Sequence, residues 1–121
     1  MSASGTRGRR AETLAAWWLR LKGYRVLARG FAIGRGSGAG EIDLIVRRGR
    51  VVAFVEVKAR ADLARAAAAI TPAQQGRIAR AARAFIANRA ALADCVLRFD
   101  AVLVTPGAFP RHICDAWRMD T

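Results

Sequence analysis

Three charged residues near the middle of the chain have types and a spacing that suit metal-dependent hydrolysis. Asp43 lies in the apolar segment GEIDLIV, and Glu56 and Lys58 lie in the segment VVAFVEVKA that follows a short turn. Burying two carboxylates and an ammonium beside valine and phenylalanine costs free energy unless a partner compensates their charge. A divalent cation between the carboxylates would compensate it, because Mg²⁺ prefers carboxylate and water oxygens as ligands.

Side-chain alternation predicts that the two segments are antiparallel strands, and their register decides which residues meet. A hairpin loop of two or four residues pairs Val46 with Val51. That register sets Asp43 opposite Phe54 and makes it a diagonal neighbour of Glu56, about 7–8 Å away at the backbone. A shift of the register by one residue would move the side chains of one strand to the opposite face of the sheet. Alternation assigns one face of the first strand to three apolar residues: Ile42, Leu44 and Val46.

Composition limits the classes of partner and of chemistry. The chain has 121 residues and a formal net charge of +12, which favours a polyanionic partner, nucleic acid first and an acidic membrane surface second. One histidine and two cysteines without a CxxC spacing argue against a Cys/His zinc site. No apolar run approaches the ~20 residues of a membrane span. We therefore expect a cytoplasmic protein with reduced thiols and no membrane partner.

The first predicted helix carries a further acid. Apolar residues at helical spacing predict a helix from about Arg9 to Lys22, ended by Gly23 and preceded by a flexible tail over residues 1–8. Glu12 lies beside the apolar stripe of this helix. Two interpretations stay open: Glu12 favours the positive helix start, or it points into the site. The stripe consists of Ala11, Leu14, Ala15, Trp18 and Leu21.

A second helix begins with clear capping signals. Thr71 is the predicted N-cap, Pro72 the first helical residue, and Gln74 completes a capping box. Gln74 and Gln75 lie in the first turn, from which a side chain could reach a site at the sheet edge. Three arginines follow at three-residue spacing and form either a solvated face or, given the net charge, a contact with a phosphate backbone: Arg77, Arg80 and Arg83.

The remaining elements complete a single α/β domain over residues 9–121. The segment Asp62–Ile70 is predicted as a loop, a short helix or a mobile flap. Arg98 and Asp100 share a face of a strand, where a structural ion pair is expected, and His112 is expected to be structural. The order is helix, three strands, helix, then one or two strands, which predicts a sheet with a helix on each side. Further strands are predicted at Tyr24–Ile33, Cys95–Val104 and His112–Trp117. A glycine-rich loop is predicted at Gly34–Gly40.

This pattern resembles a known group of nucleases. An acid on one strand and E-x-K on the next, behind a helix that carries a glutamate, resembles the PD-(D/E)xK superfamily. Within it, the segments GEIDLI and FVEVKAR and the later RFD at residues 98–100 are similar to the UPF0102 family, also called the YraN family. That family is described as endonuclease-like and is similar to archaeal Holliday junction resolvases. The resemblance implies a restriction-endonuclease-like fold with a central mixed sheet flanked by helices.

The resemblance also implies roles for individual residues. Asp43 and Glu56 would bind Mg²⁺ or Mn²⁺, with the backbone carbonyl of Val57 as an additional ligand. Lys58 would be the catalytic lysine. Three further residues match positions of the family pattern in or beside the site, with Glu12 as the acid that supports the metal: Glu12, Glu41 and Gln75.

These observations lead to three functional hypotheses. The first is a metal-dependent endonuclease that acts on DNA, including branched DNA. The second is a nucleic-acid-binding protein of nuclease fold without significant catalytic activity. The third, a basic membrane-surface or scaffold protein, leaves Asp43, Glu56 and Lys58 unexplained. A homodimer is expected by analogy with resolvases, which cut two strands symmetrically.

Overall fold

One five-stranded mixed sheet forms the centre of the protein. The computed structural model describes residues 3–34 and 40–118. The strand order is β1-β2-β3-β4-β5, with β3 and β4 parallel and the other neighbours antiparallel. None of the described helices combines the length and the hydropathy of a bilayer-spanning segment. Along the chain the elements are α1 (Ala3–Leu21), β1 (Arg25–Phe31), β2 (Ile42–Arg48), β3 (Val51–Ala59), α2 (Leu63–Ala68), α3 (Pro72–Ala87), a 3₁₀ turn (Ala90–Leu92), β4 (Val96–Val104) and β5 (Arg111–Trp117).

A long helix covers each face of the sheet. Ala15 and Leu19 of α1 pack in one apolar cluster with Val55, whereas Phe85 of α3 packs in another with Phe54. Because β3 contributes neighbouring residues to both clusters, it is buried on both faces, as a central strand must be. Burying each large apolar side chain contributes roughly 1.5–3 kcal/mol, so these two clusters hold α1 and α3 in fixed positions above the sheet.

Helix α1 differs from the prediction in its start and in its buried face. It begins at Ala3, six residues before the predicted start at Arg9, so residues 3–8 of the predicted tail are helical; Met1 and Ser2 lie outside the described residues. Its glycines cost only about 1 kcal/mol each relative to alanine, so they weaken a helix without ending it. Leu14 and Leu21, predicted to be buried, are exposed. The residues that meet the sheet are mostly small, which brings the backbone close: Ala11, Ala15, Ala16 and Leu19.

The register of the β2–β3 hairpin is shifted by two residues from the prediction. Val46 pairs with Ala53 rather than with Val51, because the two-residue turn is Gly49–Arg50, one residue later than the predicted pairing requires. Gly49 takes a left-handed conformation, with φ of +60°, which a tight hairpin turn requires. A shift of two leaves the alternation of faces unchanged along the paired residues Leu44–Arg48. It also sets Asp43 level with Glu56 instead of with Phe54.

The other predicted segments agree closely with the structure. The segment Asp62–Ile70 contains the short helix α2, whose N-cap Asp62 accepts a hydrogen bond from Arg65 N–H at 2.8 Å. Thr71 caps α3 by accepting from Gln74 N–H at 3.2 Å. Gly23 ends α1 in the predicted left-handed conformation, with φ of +92°. In the predicted loop 34–40, the two terminal glycines lie outside the strands, and residues 35–39 lie outside the described part of the chain.

The predicted ion pair of Arg98 and Asp100 is the centre of a buried polar network. Arg98 donates to both oxygens of Asp100, each at 2.8 Å, while His112 Nε2 lies 2.8 Å from Oδ2 and Asp115 N–H donates to Oδ1 at 3.0 Å. Burial alone would raise the pKa of Asp100, but the hydrogen bonds from His112 and Arg98 lower it to about 2. Cys114 brings a third metal-capable atom within 4.8 Å of Asp100 and His112. Each oxygen of Asp100 already accepts two hydrogen bonds. We therefore interpret the network as structural.

Asp100→Asn is expected to destabilise the protein by about 3 kcal/mol, because one member of a buried, hydrogen-bonded charge pair is lost. Urea unfolding near pH 7 measures the loss. The depressed pKa implies that this stabilisation is present above about pH 4 and disappears as the pH falls towards 2. Asp115→Asn is the matched control, because the Asp115–Arg118 pair is largely exposed and such pairs contribute about 0–1 kcal/mol. Equal losses in both variants would contradict the role of the network.

Candidate metal centre

A cleft of about 620 Å³ opens where the N-terminal halves of α1 and α3 meet the ends of β2 and β3. It lies at the end of the hairpin away from the turn. Its polar lining comes from four separate parts of the chain and includes every acid that the sequence placed in the site. These residues are Glu12 from α1, Glu41 and Asp43 at the start of β2, Glu56, Lys58 and Arg60 at the end of β3, and Gln74 and Arg77 from α3.

Asp43 occupies the point where β2 and β3 separate. Their pairing reaches only as far as Leu44 and Val55. Beyond that pair, the backbone N–H of Val57 donates to Asp43 Oδ2 at 2.8 Å. Alternation also breaks here, because Leu44 belongs to the cluster under α1 and Ile42 to the cluster under α3. The prediction that Ile42 and Leu44 share a face is therefore wrong, and the break leaves the Asp43 carboxylate at the opening of the cleft.

Glu56 is a buried acid with an unsatisfied oxygen. It is 2% exposed, and within the described part of the chain its Oε2 atom has no hydrogen-bond partner. Burial, followed by the proximity of Asp43, raises the pKa of Glu56 to about 9. A buried carboxyl with an unsatisfied oxygen costs stability, so the cleft contains a feature that packing alone does not explain.

Glu12 joins the same acidic group. Burial raises its pKa, and the charges of Asp43 and Glu41 raise it further, against the opposing effect of Arg29. Glu12 lines the cleft together with Asp43 and Glu56, and its support of a metal there stays a prediction. Glu41 is exposed at the rim. Four carboxyl groups thus share one cleft of a strongly basic chain.

Lys58 lies beside these acids without neutralising them. Its Nζ atom is 3.9 Å from Glu56 Oε1, and its side chain is 18% exposed. At 3.9 Å the two atoms are farther apart than in a direct hydrogen bond. Val57 also lines the cleft, and a metal contact from its carbonyl oxygen stays a prediction.

Of the two glutamines in the first turn of α3, the one at the cleft is Gln74, not Gln75, which the resemblance placed beside the site. Gln74 and Arg77 line the cleft, whereas Gln75 lines a separate pocket of about 140 Å³ beside β4 and β5. One residue along a helix is a rotation of about 100°, which is enough to separate the two sites. Of the predicted arginine row, Arg80 and Arg83 are exposed on α3 but do not line the cleft.

Gly40 is a positioning residue that the sequence did not single out. Its N–H donates to the carbonyl oxygen of Arg77 at 3.1 Å. A Cβ atom at position 40 would lie 3.1 Å from the Cβ atom of Arg77, which is closer than most side chains tolerate. This contact fixes the start of β2, and with it Asp43, against α3. The sequence signal that indicates it is that the run GEID begins with a glycine, Gly40.

Comparison with known proteins gives a consistent assignment over nearly the whole chain. The model of the family described as "Uncharacterised protein family UPF0102" matches residues 11–104, a range that contains the four cleft acids and Lys58. A UPF0102 protein of Paramagnetospirillum magneticum is 62% identical over 98% of this chain and 92% of its own length. Similar proteins of Parvibaculum lavamentivorans and Caulobacter vibrioides are 55% and 48% identical, over 92% and 91% of this chain and 80% and 85% of their own lengths.

Proposed function

The chain belongs to the uncharacterised protein family UPF0102, also called the YraN family, and from the chemistry of its cleft we propose that it is a metal-dependent DNA endonuclease of the PD-(D/E)xK superfamily. The observation that carries the proposal is the buried Oε2 atom of Glu56 beside Asp43, which has no hydrogen-bond partner among residues 3–34 and 40–118. Carboxylates grouped in a cleft of a basic protein match the ligands that Mg²⁺ and Mn²⁺ use. A cytoplasmic location, a single domain and a homodimer belong to the same proposal.

Asp43 and Glu56 would hold the ion, with Glu12 in support and the carbonyl oxygen of Val57 as an additional ligand. The bound ion would supply a water of lowered pKa and would screen the phosphate charge. A metal would also replace the proton that the raised pKa leaves on Glu56 at neutral pH. At neutral pH, Glu56 would therefore hold a proton without metal and lose that proton when metal binds.

The other cleft residues suit a phosphodiester substrate. In hydrolysis a water oxygen attacks phosphorus, the bond to the leaving oxygen breaks, and that oxygen takes up a proton. The Lys58 ammonium can orient the water or stabilise charge on the phosphate. Arg60 and Arg77 line the same cleft and provide further contacts for phosphates. Arg80 and Arg83 extend this positive surface along α3, where the DNA backbone would continue.

One observation favours the second candidate, a nucleic-acid-binding protein of nuclease fold without significant catalysis. A pKa of about 9 for Glu56 means that metal must displace a proton at neutral pH, which lowers the apparent metal affinity. Such a site could be occupied too weakly for efficient cleavage. The basic surface would still bind nucleic acid.

A metal screen separates the two candidates. Wild-type protein is incubated with duplex, junction, flap and RNA substrates in EDTA, Mg²⁺ or Mn²⁺. We expect metal-dependent cleavage that Lys58→Ala reduces by about 100- to 1,000-fold, as for loss of one transition-state donor. Lys58→Ala should retain Mn²⁺ binding, since the acids are intact. Lys22→Ala is the control. Lys22 is the other lysine of the chain, and it contacts His112 outside the cleft.

Two outcomes would reject the nuclease. Equal cleavage by Lys58→Ala and wild type would place the activity elsewhere or in a contaminant. Salt-dependent binding by the wild type, with no cleavage of any substrate in either metal, would establish the second candidate instead.

A further inference from the structure

The solvent-facing side of α1 carries an apolar ridge that the cleft does not use. Leu14, Trp17 and Leu21 follow one another at helical spacing and are 43%, 60% and 78% exposed. We call these three residues the α1 ridge. Glu12, which lines the cleft, is five residues from Trp17, or about 140° around the helix axis. The ridge and the cleft therefore face different sides of the same helix.

Two exposed aromatic rings lie on or next to the ridge, those of Trp17 and Phe109. The guanidinium of Arg20 lies 5.7 Å from the centroid of the Trp17 ring. Phe109, which is 81% exposed, stacks on Trp18 with ring centroids 5.4 Å apart. Trp18 is one helical turn from both Leu14 and Leu21, so Phe109 adds a second exposed ring next to the ridge.

The charge around the ridge favours an anionic partner. Arg10 lines a shallow groove together with Leu14 and Trp17, and Arg20 flanks Trp17 along the helix. Glu12 is the only acid in the sequence of α1, and it lines the cleft instead. A second copy of the chain would bring the same arginines into opposition. Three partly exposed side chains also fall well short of the ~800 Å² per partner that a stable interface buries.

We propose that the α1 ridge binds unpaired bases, so that the nucleic acid bound by this protein includes a single-stranded region. The inference rests on the proposed function, because it takes nucleic acid as the substrate and specifies its class. An unpaired base can stack on Trp17 or on the guanidinium of Arg20, while its phosphate meets the positive rim. A duplex keeps its bases stacked on one another. A substrate that reaches both sites would place its scissile strand in the cleft and a single-stranded segment around α1.

Binding measurements in EDTA test the ridge independently of cleavage. Fluorescence anisotropy compares a labelled oligothymidylate with a blunt duplex of equal length. We expect Trp17→Ala to weaken single-strand binding roughly tenfold and duplex binding less than about twofold, because each lost base stack has a substantial effect. Trp17→Phe should restore most of the affinity. Leu97→Ala removes a comparably exposed apolar side chain on β4 and should change neither.

Several results would overturn this inference. If Trp17→Ala lost equal affinity for single strand and duplex, or lost none, the ridge would not be a site for unpaired bases. Trp17-dependent binding to phosphatidylglycerol vesicles without single-strand preference would assign the ridge to an anionic membrane. Concentration-dependent dimerisation lost in Trp17→Ala would assign it to a second copy. Because no metal is present, single-strand binding that depends on Trp17 would stand even if the metal screen rejected the nuclease.

Discussion

Asp43→Asn is expected to abolish metal-dependent cleavage, with a loss of at least about ten-thousandfold. The reason is that a metal-bound water becomes acidic by many pKa units relative to bulk water, and the amide no longer offers the anionic ligand that holds the metal beside Glu56. The fold should survive, because the amide oxygen of asparagine can still accept the hydrogen bond that Val57 N–H donates to Asp43 Oδ2 at 2.8 Å.

Cleavage assays and Mn²⁺ titration calorimetry together test this expectation. Asp94→Asn makes the same chemical change at an exposed position outside the cleft and should behave as wild type. Asp43→Asn should show neither cleavage nor Mn²⁺ binding, with an unfolding transition close to that of wild type. Cleavage within about tenfold of wild type would show that Asp43 does not hold the metal.

Glu56→Gln is expected to change the pH dependence of stability in the metal-free protein. The pKa of Glu56 is raised, first by burial and then by Asp43, to about 9 in the folded chain, against an ordinary value of 4.5. Between these values the folded state binds one more proton than the unfolded state, so stability falls as pH rises. The slope is about 1 kcal/mol per pH unit. Glutamine carries no proton to lose, so the variant should be more stable than wild type from neutral pH upwards.

Urea unfolding in EDTA from pH 5 to pH 9 measures this difference. Glu41→Gln changes an exposed acid of the same cleft and should keep the wild-type slope. Added Mn²⁺ should stabilise the wild type, since a ligand that binds only the folded state raises its stability, and it should stabilise Glu56→Gln far less. Parallel pH curves for wild type and Glu56→Gln would contradict the buried, protonated state of Glu56.

Local sequence signals predicted the parts of the site that depend on near neighbours. The alternating pattern in β3 placed Glu56 and Lys58 on one face, and the structure brings both to the same cleft. Thr71 was recognised as a cap from the residues that follow it, and it caps α3. Arg98 and Asp100 lie two residues apart on one strand, so their pairing needed no knowledge of the rest of the fold.

Errors arose where one element had to be positioned against another. The faces of β2 and β3 were predicted largely correctly, but their register differs by two residues because a shift of two leaves the hydrophobic pattern unchanged. Gln75 was placed at the site, yet Gln74 lines it, because the rotation of α3 is set by its packing on the sheet. The exposed Leu14 of α1 shows the same effect.

The sequence by itself therefore determined which acids and which lysine are available, and that the hairpin gathers most of them on one side. The tertiary structure alone decided that Glu12 points at Asp43, that Gly40 fixes the start of β2 on α3, and that one oxygen of Glu56 is buried with no partner in the described part of the chain. The physical reason is the distance along the chain over which each effect acts. Alternation, capping and charge act over a few residues, whereas burial and the raised pKa of Glu56 depend on surfaces that only folding brings together.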